Sequence, residues 1–196
     1  MGQRSQIYVR YTDENNKHYL IANYYQWNYG ERMVSRARHS IEWIQSNLKY
    51  TWYFTSEKTK LQRILDVNFD MKDIVISQNI IKEFYEYIKS NPKEDATLND
   101  YVFYWQDNND GKLFVDIKGN EIKYCFLNQE CDTTKIMSAS KYMNWNVPGW
   151  RVSQYIDDKQ KEFCKNNLKE IPKLAKLMTK KEIEDFLICH YERSDI

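Results

Sequence analysis

Apolar and polar residues alternate at the start of the chain: Ile7, Val9 and Tyr11 fall on one side, Gln6, Tyr8 and Arg10 on the other. That period of two is the mark of a half-buried β-strand. A second run sets Leu20, Ala22 and Tyr24 against Tyr19, Ile21 and Tyr25, apolar on both sides. The polar segment from Thr12 to His18 between the runs predicts a hairpin. From Arg32 to Leu48 the period changes. Val34, Ala37, Ile41, Ile44 and Leu48 recur every three or four residues, the core-facing stripe of an amphipathic helix led by Gly30.

Thr55 or Ser56 is placed to cap a second helix, with Leu61, Ile64 and Leu65 on its buried side. A third helix is predicted over 77–89 from Ile80, Ile81, Phe84 and Tyr87, stopped by Asn91-Pro92. Three β runs follow at 101–105, 112–117 and 121–127. Asp110-Gly111 and Gly119-Asn120 separate them, turn chemistry that tolerates positive φ, so the three predict a meander. Residues 128–154 show no period, and the tail predicts helices over 154–167, 171–178 and 180–191. Thr179 caps the last, with Glu182 three residues on.

Strands and helices in blocks predict an α+β fold. Its antiparallel sheet would combine the N-terminal hairpin with the central three-stranded meander, packed with about five to six helices. The 196 residues fit a single domain, 1–196, with 1–98 and 99–196 as a finer division into sub-lobes.

Composition changes this picture in two ways. Sixteen tyrosines and six tryptophans exclude a disordered chain and favour surfaces where one end of a ring is buried and the other wet. A net charge of +1 leaves no overall field to select nucleic acid or an anionic membrane, so any basic surface is local. No run approaches the about 20 apolar residues a membrane helix needs, and the N-terminus lacks an apolar signal core. A cytoplasmic protein without a membrane partner is expected. Cys125, Cys131, Cys164 and Cys189 match neither a CxxC pair nor a zinc framework, so they read as reduced, structural thiols.

Catalytic chemistry is sparse. His18, His39 and His190 are scattered, and no nucleophile motif or phosphate-binding glycine loop occurs. The acidic run from Asp66 to Asp73 resembles a calcium loop but carries Met71 where the turn needs glycine and Ser77 where the ion needs a bidentate glutamate. The expectation is a protein that is not an enzyme and holds neither metal nor cofactor.

Three features point to binding instead. Arg32, Arg36, His39 and Trp43 are spaced four, three and four along the first helix, with Arg38 off that line. Such a face grips phosphates or carboxylates; the alternative is a solvated face closed by internal salt bridges. Trp27 and Tyr29, just before Gly30, either frame a partner or set the angle at which the helix begins. Trp145, Trp150 and Arg151 form an aromatic loop with Tyr142 and Pro148, suited equally to a binding hot spot and to a lid over a small core. The lysine-rich tail interleaves with acids, the pattern of a solvated surface.

The segment from Gly2 to Arg10, followed by the segment from Asn23 to Met33, resembles the opening of small proteins encoded by bacteriophages and prophages. The resemblance covers about the first quarter of the chain and stops by Leu48. It implies a phage-encoded inhibitor of a host defence factor, of the anti-CRISPR kind, acting by stoichiometric protein–protein contact. The partner would then be a host protein or ribonucleoprotein defence complex in the host cell cytoplasm. Two alternatives stand beside it: a nucleic-acid-binding protein using the local basic helices, and an enzyme acting on a nucleotide or signalling molecule. A homodimer is compatible with each.

Overall fold

A computed structural model describes residues 3–26, 30–48, 76–90, 96–104 and 109–192. The helix expected from Thr55, most of the calcium-like run and Asn91-Pro92 lie outside the described residues.

Among the described residues the strands are β1 (Arg4–Thr12), β2 (His18–Gln26), β3 (Ile76–Asn79), β4 (Lys112–Lys118), β5 (Glu121–Leu127) and β6 (Lys176–Leu177). The helices are α1 (Gly30–Leu48), α2 (Ile81–Ser90), α3 (Leu98–Tyr104), α4 (Ala139–Asn146), α5 (Asp158–Leu174) and α6 (Lys180–Ile188). The strands form one sheet in the order β3-β2-β1-β4-β5-β6. Strands from before residue 98 and after residue 99 therefore share it, joined through the β1–β4 pair.

The fold is α+β, but the sheet is mixed rather than antiparallel. β1 runs antiparallel to β2, with Tyr8 opposite Ala22, and parallel to β4, with Val9 opposite Val115. β5 pairs antiparallel with β4 and parallel with β6. The expected meander fails at its first strand, because Tyr101 to Tyr104 belong to α3. Thr97 and Asp100 explain this: the Thr97 amide and hydroxyl both donate to Asp100 Oδ2, at 2.8 and 2.9 Å. A local cap of this type commits the next residues to a helix, overriding the β preference of the Tyr-Val-Phe-Tyr run. With no strand there, the other edge of β4 is left to β1.

Strand parity sorts the core into two clusters, one on each face. Ile7, Val9, Leu113, Val115, Tyr124 and Phe126 meet α1, α4 and α5 through Val34, Ile41, Tyr142, Met143 and Ile171. Tyr8, Leu20, Phe114 and Cys125 meet α2, α3 and α6 through Phe84, Tyr101, Ile183 and Phe186. β1 is covered on both sides and buried almost throughout, as a central strand with helices over both faces of its sheet requires.

Other boundaries shift for physical reasons. The expected helix over 77–89 gives its first residues to β3, which adds to the edge of β2 before α2 begins. The expected helix over 154–167 and the start of the one over 171–178 are one helix, α5, opened by an Asp157–Gln160 capping box and carrying Pro172 near its end, while Lys176–Leu177 form β6 instead. The segment read as irregular contains α4, capped by the Ser138 side chain. Thr179 and Glu182 do form a capping box at α6.

Candidate functional site

The α1 face does not present its arginines outward as a set. Arg36 is 2% exposed, its guanidinium 4.8 Å from the centre of the Tyr25 ring. Arg38 pairs with Glu42 at 2.7 Å and donates to Asn167 Oδ1 on α5 at 3.3 Å. Trp43 packs partly buried against the core, Arg32 is half-buried, and His39 is exposed. The expected outward face is thus corrected to a helix flank largely engaged within the chain. Ser40, four residues after Arg36, is also buried, and its hydroxyl donates to the Arg36 carbonyl at 2.7 Å. Burial on α1 therefore extends one row beyond the aliphatic stripe, since α1 packs against α5 as well as the sheet. Trp27 and Tyr29 lie outside the described residues.

The aromatic loop divides into anchors and exposed rings. Tyr142 is buried and stacks on Phe126 with centroids 4.3 Å apart, and its hydroxyl donates to the Asp110 carbonyl at 2.6 Å. Trp150 is 1% exposed. Its indole N–H donates to Asn144 Oδ1 at 3.2 Å, and Arg151 donates to the same oxygen at 3.3 Å while lying over the Trp150 ring. Val147 and Ile156 pack against the same core, so the segment between α4 and α5 is held at both ends and in the middle.

Between these anchors the chain turns outward. Gly149 takes φ +70°, and its carbonyl accepts from the amides of Val152 and Ser153, both at 3.0 Å. Val152 is 86% and Tyr155 90% exposed, with Trp145 at 41% on the neighbouring turn of α4. Sequence reading named Trp145, Trp150 and Arg151 but missed Val152 and Tyr155. The Pro148-Gly149 turn marks a chain reversal here, but it does not distinguish the buried Trp150 that follows it from the exposed Val152 and Tyr155.

A second cluster sits at the sheet centre. Arg10 holds Asp116 through Nε and Nη2, at 2.7 and 2.8 Å, and Asp185 of α6 through Nη1 at 2.7 Å. Its guanidinium also lies 4.9 Å from the Phe186 ring centre and donates to Cys189 Sγ at 3.4 Å. Burial works against the Arg10 charge, but the hydrogen bonds and attraction of Asp116 outweigh it, and its pKa is raised. Burial also pushes the Cys189 thiol up, and pulls His18 down with help from the Arg10 charge. A protonated thiol and a neutral imidazole at neutral pH make this a structural clasp, not an activated nucleophile. Among the described residues no three His, Cys, Asp or Glu side chains converge to hold a metal, and no helix is long and apolar enough to cross a membrane.

Comparison with protein-family models, curated proteins and solved structures yields no match to this chain.

Proposed function

We propose that the chain is a binding protein that inhibits a host defence factor by stoichiometric contact, through the loop between α4 and α5. One observation carries this reading: Val152 and Tyr155 stand in solvent on a segment whose neighbour Trp150 is locked into the core. Large apolar side chains on a pinned backbone lose little conformational freedom on docking, which is the property of a pre-organised hot spot. Burying the two rings or branches against a partner would contribute about 1.5–3 kcal/mol each. Arg151 has no carboxylate partner among the described residues, so the complementary surface is an apolar pocket with an acidic rim.

The assignment to host defence rests on the phage-like opening of the sequence. The nucleic-acid alternative draws no support from α1, where Arg36 is buried and Arg38 is paired. In the tail, Lys161, Lys165, Lys173 and Lys180 are each paired with a nearby acid. Titration against a CRISPR ribonucleoprotein nuclease tests the proposal. Inhibition should saturate at a fixed molar ratio, and full inhibition by trace amounts of protein would overturn it.

A further inference from the structure

On the other face of the sheet, α2, the start of α3 and residues 189–192 enclose a cleft of about 350 Å³. That is the lower end of the range for small-molecule sites, about 300–1,000 Å³. Its apolar wall is Phe84, Ile88, Leu98 and Tyr191, with Phe84 and Tyr191 edge to face at 6.2 Å. Phe84 is fixed in turn by Tyr101, edge to face at 5.4 Å, so the wall is preformed.

The polar groups around this wall sort into engaged and available. Thr97 Oγ1 donates to Asp100, and Cys189 Sγ accepts from Arg10. The Glu192 carbonyl accepts from Tyr85 Oη, and its carboxylate lies 3.5 Å from Lys17 Nζ. Lys89 and His190 are exposed at the rim and have no acidic partner among the described residues. A cleft with an aromatic wall and, at its mouth, two nitrogen donors that no acid among the described residues engages favours one kind of ligand.

We propose that this cleft binds a small amphipathic anion, with a ring-sized apolar body against Phe84 and Tyr191 and a carboxylate held by Lys89 and His190. The inference is independent of the docking loop on the opposite face. Three isosteric probes test it by saturation-transfer NMR titration: 4-phenylbutyrate, 4-phenylbutan-1-ol and 4-phenylbutylamine. Saturable binding should be tightest for the carboxylate, about fivefold weaker for the alcohol, and weaker again for the amine, the scale of an exposed ion pair. Lys89→Glu should weaken the carboxylate about fivefold and leave the alcohol unchanged. Ile88→Trp, which fills the cleft from a half-buried position, should remove binding of both. Equal affinity for all three probes, no saturable binding, or unchanged binding in Ile88→Trp would each overturn the proposal.

Discussion

Arg10 on β1 and Asp116 on β4 face each other in register across the parallel central pair, joined by two hydrogen bonds of 2.7 and 2.8 Å. Both side chains are largely enclosed, at 5% and 14% exposed, whereas Asp185, the other carboxylate on Arg10, is 60% exposed. Removing one partner of an enclosed pair strands the other charge, which costs about 3–5 kcal/mol. An exposed partner contributes about 0–1 kcal/mol. Asp116→Asn should therefore lower the free energy of unfolding in urea several-fold more than Asp185→Asn. Equal losses would show that the enclosed geometry contributes nothing of its own.

Acid sensitivity has a specific source at α6. The Lys123 hydrogen bond, then the Thr179 amide, hold the Glu182 carboxyl down at about 2, from an ordinary value of 4.5. A carboxyl depressed by folding stabilises the native state above its unfolded pKa and loses that contribution as pH falls through the folded value. The window runs from about pH 4.5 to about pH 2. Glu182→Gln keeps a side-chain acceptor for the cap but removes the titration. Its urea midpoint should fall less steeply than wild type across that window, and parallel curves would refute the assignment.

How much of this was legible in the sequence depends on the range of the interaction that decides each element. Alternation located β1, and apolar runs bounded by turn residues located β2, β4 and β5, each within a residue or two; the three–four spacing located α1, because all these signals are local. The Thr179–Glu182 cap was readable for the same reason. Thr97 and Asp100 carry a similar cap, but the aromatic, β-branched run after them masked it, and α3 was read as a strand. The β1–β4 pairing joins Arg10 to a residue more than a hundred positions away, which no local window contains. A hint existed: Arg10 and Asp116 interrupt apolar runs with opposite charges, as partners on central strands do. The site was half legible. Trp150 was named as an aromatic on the loop, but whether an indole anchors or projects is set by Asn144 and the core beneath it.

Two glycines with similar backbones should behave differently. Gly111 and Gly119 take φ of +79° and +58°, left-handed values that cost other residues about 1–2 kcal/mol. A Cβ on Gly119 meets nothing within 4 Å, whereas one on Gly111 would lie 2.5 Å from the Leu127 carbonyl oxygen. That oxygen is backbone at the end of β5 and cannot swing aside. Gly119→Ala should cost only the backbone term, and Gly111→Ala that term plus displacement of the β4–β5 ends. Thermal denaturation should show a clearly larger drop in Tm for Gly111→Ala, and equal drops would mean the β5 end yields freely.

The docking loop predicts a separation of stability from binding within a few residues. Tyr155→Ala and Val152→Ser change exposed side chains, so each should alter stability by no more than about 0.5 kcal/mol. Trp150→Ala removes a buried indole and leaves Asn144 Oδ1 without that donor, a loss of about 3–5 kcal/mol. Binding should show the reverse sensitivity for the first two: inhibition of the nuclease should fall at least tenfold while Tm is unchanged. Arg36→Glu, by contrast, places a carboxylate beneath the Tyr25 ring and should lower Tm strongly. If Tyr155→Ala and Val152→Ser together left inhibition intact, the partner surface would lie elsewhere on the molecule. If they lowered Tm as Trp150→Ala does, the two exposed side chains would have a structural role that their solvent position denies.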